Sequence, residues 1–593
     1  MRSKFLVLAM IIGTFFLVTG VAGISANFSA NITTGTAPLT VKFTDKSIGS
    51  PTGWAWYFGD ENYTAPWTEI NASAGWSARY GHSSVVLPDG SIVITGGSGY
   101  TNDTWRSTDS GATWTEVNAS SGWSGRVGHS SVVLPDGSIV LMGGYGGGFK
   151  NDVWRSTDKG ATWTEVNASA GWSARYGHSS VVMPDGSIIL IGGGDSNSHF
   201  WNDIWRSTDK GATWTRITAS AGWSARQSQS SVVLPDGSIV LIGGWSHGSG
   251  YTKDVWRSTD KGATWTQQTS GEEWLGRSGF SSVVMPDGSI VLIGGYNGSY
   301  LNDVWRSTDK GATWTQVNAS AGWAEYIHSS VVLPDGSIVL MGGSDGSIIR
   351  NDVWRFMPAG SLAQNPSHTY TKKGTYKVAL QVYNAGGYKS IRKPGYIKVK
   401  SLPPTITAIN PASGNWGTTV QITDLIGTGF APKAKVYLTK TGYSPLNATN
   451  ISVGSPTNIT CTFKIPLYTA IGFWNVQVNN TDGQSGTKVN AFMVKTPSPP
   501  TVTGITPASG IRGTTVQITY LAGTGFALKP KPTVQLVKNT NTINATNITV
   551  INPNRITCTF TISPYAVTGP WNVKVTNADM QYGVKIGAFT VDT

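Results

Sequence analysis

Cysteine is almost missing from this 593-residue sequence: Cys461 and Cys558 are the only two, so no disulfide framework organises it. Both sit in the pentapeptide Ile-Thr-Cys-Thr-Phe, in two similar C-terminal segments. Alternation points each thiol inward with Ile and Phe, and two separate buried thiols are expected. Charged residues are sparse at 13%, and no dense Lys/Arg run carries the net charge of +12. The excess reads as solvated surface, and nucleic acid is not an expected partner. Beyond residue 21 no apolar run is long enough to cross a bilayer. No stretch carries the 3.6-residue apolar period of a long amphipathic helix. Short alternating runs of Val, Ile, Thr and Trp make the class all-β, and the length calls for several domains.

The N-terminus reads as an export signal over residues 1–26: Arg2 and Lys4 precede the apolar run Phe5–Val21, and small residues follow at Ala22, Gly23, Ser25 and Ala26. An uncleaved N-terminal anchor is the alternative. Asn-x-Ser/Thr triplets headed by Asn27, Asn31, Asn62, Asn71, Asn118, Asn167, Asn318, Asn447, Asn458, Asn544 and Asn547 add an expectation of surface glycosylation.

What the chain has in plenty is tryptophan, 25 in all, and most of it recurs in order. Trp105-Arg-Ser-Thr-Asp-Ser-Gly-Ala-Thr-Trp114 returns almost unchanged at 154–163, 205–214, 256–265 and 305–314, and a third Trp follows at Trp123, Trp172, Trp223, Trp274 and Trp323. Trp67 and Trp76 open the array without a first member, and Trp354 closes it without a second or third. Six Pro-Asp-Gly turns, at Asp89, Asp136, Asp185, Asp236, Asp287 and Asp335, are spaced 47 to 51 residues apart. A period near 50 built of short strands predicts propeller blades of four strands, a to d, with Pro-Asp-Gly turning a into b. The last repeat lacks a strand d and the first has a spare one at Ala65–Ile70. Pairing these closes a six-bladed ring over residues 65–358 with no free sheet edge.

The Arg-x-x-His-Ser…Gly-Gly…Trp pattern resembles Kelch repeats, as in galactose-oxidase-like propellers. The Ser-Thr-Asp-x-Gly-x-Thr-Trp turn is similar to the Asp-box, or BNR motif, of sialidase-type propellers, which implies a structural role for Asp109, Asp158, Asp209, Asp260 and Asp309. On either side of the array, Ala37–Asp45 with Trp54–Asp60, and Asn365–Tyr370 with Gly374–Asn384, resemble the two halves of a PKD domain. The propeller is then an insertion between residues 27–62 and 362–400, at Glu61, where that family usually has Gly. Two later segments, 403–496 and 500–593, share Ile-x-Pro-Ala-Ser-Gly, Gly-Thr-x-Val and Gly-Thr-Gly-Phe, and resemble IPT/TIG domains. The fold class expected is therefore a six-bladed β-propeller inserted into an immunoglobulin-like sandwich and followed by two more such sandwiches. The domain set resembles surface proteins of archaea and bacteria.

Chemistry on a repeated frame needs residues that break the repeat. Copper chemistry of the galactose-oxidase kind needs a Tyr–Cys cross-link, and the propeller has no Cys, so no cofactor is expected. His82, His129, His178 and His328 share one position with Gln229 and Phe280. Tolerance of Phe there points to packing, and no metal site is expected. The nearest candidate for a sialidase-like pair is Glu325-Tyr326. The b–c loops vary most, and irregular loops on a rigid frame carry binding. His199, Trp201, Trp245, His247, Tyr251, Tyr296 and Tyr300 in those loops are the ligand-binding candidates, suited to sugar rings or peptide. Arg79, Arg126, Arg175, Arg226 and Arg277 in the d–a loops form a partial ring that either meets an anionic ligand or pairs locally. The function expected is an exported, non-enzymatic surface protein whose propeller binds a glycan or protein partner, with the sandwiches as spacers. The alternatives are a sialidase-like secreted hydrolase and a purely structural envelope component. Because the missing c–d turn lies where the chain leaves for the sandwich, the sandwich should hang from the face carrying the invariant turns.

Overall fold

The computed structural model describes residues 23–195, 199–269, 274–323 and 326–593; most of the expected export signal, and Glu325, lie outside them. Every named element among the described residues is a β-strand, and the chain divides at Val399/Lys400 into two compact units.

Each repeat in the first unit folds into one four-stranded antiparallel sheet. Blade one runs Ser83–Val86 (a), Ile92–Thr95 (b), Thr104–Ser107 (c) and Thr115–Asn118 (d). Blades two to five repeat that order from a-strands Ser130–Val133, Ser179–Val182, Ser230–Val233 and Ser281–Val284. Blade six takes a, b and c from Ser329–Val332, Ile338–Ser344 and Ile349–Phe356, and d from Thr68–Asn71 at the other end of the array. Trp354 lies opposite Glu69, and Arg355 opposite Thr68. The a-strands neighbour one another in a closed circle, the sixth touching the first, and together line a central channel. This is the layout of a six-bladed β-propeller.

The core sits between blades. Ile139, Val140, Leu141 and Met142 are consecutive and all fully buried, because neighbouring blades cover both faces of each sheet. Val140 and Met142 of blade two share a cluster with Ile188 and Leu190 of blade three, each side chain contributing about 1.5–3 kcal/mol. The paired glycines after strand b follow from the same crowding. A Cβ on Gly143 would stand 2.8 Å from the His178 ring of the next blade, and one on Gly144 2.9 Å from His129 of its own. The c–d turn is held internally: in blade one, Asp109 accepts from Ser107 Oγ and from Thr113 N, and the Trp114 indole donates to Gly111 O. That turn also links blades, since Lys159, Lys210, Lys261 and Lys310 each reach the Pro-Asp-Gly carboxylate of the preceding blade at 2.6–2.8 Å. Blade six has no such turn, and Lys377 from outside the ring approaches Asp287 instead, at 3.7 Å.

Lys377 belongs to a two-sheet sandwich made by the segments flanking the array. One sheet orders Phe28–Ala30, Leu39–Asp45 and Ser367–Tyr370; the other orders Thr34–Thr36, Gly387–Lys400, Gly374–Asn384 and Gly53–Tyr57. Val41, Phe43 and Trp56 from before the propeller pack with Tyr370, Leu380 and Ile397 from after it. The two connecting strands are clipped together: Trp56 N donates to Ser361 O at 2.9 Å, Gly360 N to Trp56 O at 2.8 Å, and the Tyr370 hydroxyl to Phe58 O at 3.1 Å. Glu61 closes the turn by accepting from Gly59 N at 2.9 Å and from Phe58 N. The sandwich meets the ring on its Pro-Asp-Gly face. The Tyr57 hydroxyl donates to Gly336 O at 3.0 Å, Gln381 Nε2 donates to Pro334 O at 2.7 Å, and Tyr388 stands among the channel valines.

The second unit contains two similar β-structures. In the first, strands between Thr405 and Lys495 join in one eight-stranded sheet; in the second, those between Thr501 and Asp592 divide into four and five. Each core carries one buried Trp, Trp474 or Trp571, and one free buried Cys, Cys461 or Cys558. Burial pushes both thiols up to about 12, so they remain protonated and inert at neutral pH.

Candidate functional site

The five arginines offered as ligand-binding candidates face inward. Arg79 Nη1 and Nη2 reach the two oxygens of Asp103 at 2.8 and 2.7 Å, Nη1 also donates to Gly96 O, and Nε to Ser77 O. Its guanidinium lies over the Trp76 ring at 5.8 Å. Arg126 pairs in the same way with Asp152, Arg175 with Asp203, Arg226 with Asp254 and Arg277 with Asp303. All five side chains are at most 1% exposed. Burial alone would raise the Asp103 carboxyl, but the guanidinium outweighs it and the pKa is lowered. A bidentate pair with a third acceptor leaves these donors nothing to offer a ligand. Of the two readings open for the arginine ring, local pairing holds and the ligand-binding candidacy is corrected: these groups tie each d–a loop to its own blade.

The strand-a histidines are also structural. His129 Nε2 lies 3.0 Å from Thr95 Oγ1, and Gln229 at the same position donates to Ile191 O. Desolvation, then the charge of Arg79 or Arg175, holds His82 and His178 down at about 3. These rings stay neutral in the fold but protonate in the unfolded chain below about pH 6.5. Their contribution to stability is therefore complete above that value and declines as the pH falls toward 3, by about 1.4 kcal/mol per pH unit for each ring. His178→Phe, the solution that Phe280 already uses, should flatten the decline. Urea midpoints at pH 7 and pH 5 measure it, and equal pH slopes in the two proteins would refute the assignment.

The Asn-Ala-Ser repeat has a structural reason that sequence reading missed. Asn71, Asn118 and Asn167 each donate from Nδ2 to an Ala carbonyl in the next blade's c–d turn, at 2.7–2.8 Å, and accept from the Ser amide two residues on. That serine's hydroxyl in turn takes a bond from a strand-c amide, as Ser73 does from Asn351.

The b–c and d–a loops gather aromatic side chains on the other face of the ring from the sandwich. Tyr251, Tyr296, Tyr300 and Tyr326 form one arc, with centroid separations of 5.7 Å (251–296), 5.0 Å (296–300) and 5.3 Å (296–326). Phe200, Trp245 and His247 form a second, with Trp245 edge-on to Phe200 at 5.2 Å and 6.3 Å from His247. A third, Tyr100–Tyr145–Phe149–Tyr176, was not anticipated. Its signal was available: in blades two to six the residue two before the strand-a His or its replacement bridges the residue after the paired glycines, as Val127 bridges Tyr145 and Gln227 bridges Trp245. Among the expected candidates, Trp201 is placed differently, lying over the buried Arg175 at 4.3 Å. His199 is exposed beside Asp195 at 3.5 Å. Burial pushes Tyr326 up to about 12, which keeps it a phenol at neutral pH. Among the described residues no group of three or more His, Cys, Asp or Glu is placed to hold a metal, and no helix is long and apolar enough to cross a membrane.

Residues 169–343, from the loop before blade three to strand b of blade six, match the KLHDC2/KLHL20/DRC7 Kelch-repeats domain. No curated protein matches the chain. Among solved structures, a fungal alcohol oxidase of the AA5 family in complex with copper is similar over 79% of this chain and 99% of its own, at 15% identity and a TM-score of 0.36. A likeness at that level carries no argument. The Kelch-repeat match and the ring of four-stranded sheets are together consistent with a Kelch β-propeller.

Proposed function

We propose that this is an exported cell-surface or envelope protein whose propeller binds a glycan or protein partner through its b–c loop face. The PKD-like sandwich at 27–62 and 362–400 and the IPT/TIG-like modules at 403–496 and 500–593 serve as spacers. The observation that carries the reading is the set of aromatic arcs at the loop face, with Tyr300 39% exposed and Tyr100 53% exposed. Aromatic rings with an apolar face and a polar edge supply large contact area to a sugar or a polypeptide. The Kelch-repeat match supports a binding scaffold over an enzyme.

The protein with Trp245, Tyr296 and Tyr300 changed to Ala should bind immobilised surface glycans or surface proteins at least about tenfold more weakly, with unchanged unfolding. Unchanged binding would sink the assignment of this face. Turnover of a sialoside by the wild type, lost in Tyr326→Phe, would favour the hydrolase alternative. Cell fractionation tests the export itself.

A further inference from the structure

Blade six breaks the arginine–aspartate pattern on one side only. In blades one to five an Arg stands three residues after the d–a loop Trp; in blade six that segment reads Trp323-Ala-Glu-Tyr326 and is one residue shorter before the strand-a His. The strand-c carboxylate is nonetheless retained as Asp352, only 6% exposed. Its Oδ2 accepts from the Trp354 indole at 3.2 Å, as Asp103 does from Trp105 at 2.8 Å. Among the described residues its Oδ1 has no hydrogen-bond partner. A cavity of about 330 Å³ lies against that carboxylate, walled by Trp323, Trp354, Asn302, Ser320, Asp345 and Arg350.

The five sister blades show what such a space holds. In each, one guanidinium meets the strand-c carboxylate through both oxygens. In blades one, two, four and five it also lies 5.6–5.8 Å from the ring of the d–a loop Trp. Trp323 and Asp352 are the same two walls, with no guanidinium between them among the described residues. A buried carboxylate left half-satisfied is costly unless a cation completes it. Asp345 and Arg350 pair at 2.7 Å, so the lining of two carboxylates and one guanidinium keeps a net negative charge. We infer that this cavity is a recognition slot for a guanidinium group, the arginine side chain of a partner protein. The planar fork suits a two-oxygen acceptor between indoles better than an ammonium does. The inference rests on the loop face being the binding face, since the slot opens among blade six's b–c loop residues.

Calorimetric titration of the full chain with acetyl-arginine amide and acetyl-lysine amide tests it. The arginine amide should bind, and the lysine amide at least about tenfold more weakly. Asp352→Asn, which keeps the shape and removes the charge, should weaken arginine binding by at least about tenfold. Ser320→Trp, at an exposed rim position, should block it while leaving Asp352 in place. No arginine binding at millimolar concentration, equal affinity for lysine, or full affinity in Asp352→Asn would each overturn the slot. If aromatic-face variants still lose their partner while arginine amide fails to bind, the slot alone falls. If arginine amide binds while no partner is captured, the loop-face reading falls and the slot stands.

Discussion

Changing Arg175 to Ala is expected to destabilise the propeller by about 3–5 kcal/mol, because it strands a buried carboxylate. Asp203 is 8% exposed and both its oxygens are engaged by Arg175, so no water-facing conformation is at hand to relieve it. The loss should exceed that from any exposed ion pair of the Pro-Asp-Gly face, such as Lys210 with Asp136, where about 0–1 kcal/mol is expected. Changing both partners, Arg175→Met with Asp203→Leu, should recover most of the loss, since no charge is then left buried. Thermal unfolding of the three variants checks the order. A single Arg175→Ala protein as stable as wild type would show that the pair only positions the loop.

The second large effect is expected at the seam of the ring. Trp67 is 6% exposed, stacked on Phe356 at 5.3 Å and edge-on to Trp323 at 5.5 Å. Trp67→Ala should cost about 3–5 kcal/mol, as large-to-small changes of buried Trp do. Here the loss falls beside the strand Thr68–Asn71, which joins the two ends of the array. Amide exchange should therefore rise along Ile349–Phe356, the strand paired with Thr68–Asn71, and proteolysis should begin between Asn62 and Asn71. Trp163→Ala, away from the seam, should lower stability without opening that segment. Equal exchange in the two variants would mean that the seam does not govern ring opening.

The repeat frame was legible because each blade restates it: turn, paired glycines and Trp spacing recur, and the unmatched pieces at the two ends add up to one blade. The direction of the arginines stayed open because recurrence says that a residue matters to every blade and not which way it points. A partner was in view all the same. An Asp stands two residues before each strand-c Trp, at Asp103, Asp152, Asp203, Asp254 and Asp303, and it recurs in step with the Arg. In blade six the Asp persists without the Arg, and that mismatch in the sequence is what the proposed guanidinium slot grows from. The aromatic arcs were only half visible, because Tyr145, Phe149 and Tyr176 come from a b–c loop and a d–a loop that only the bridge after the paired glycines brings together. The structural role of the repeated Asn-Ala-Ser was hidden for a plainer reason: an acceptor for glycan and a strand-end hydrogen-bonding triad are written with the same letters.

The clip between Trp56 and Ser361 bears on how the molecule carries mechanical load. A pull applied between residues 27 and 399 travels along the sandwich strands and crosses from one connecting strand to the other at the clip, where backbone bonds on either side of Trp56 span the two. Some 300 residues of propeller hang from that short stem as a side branch, outside the line of force. A tether under tension would thus strain the sandwich first, and the loop face would keep its shape until the clip itself gave way.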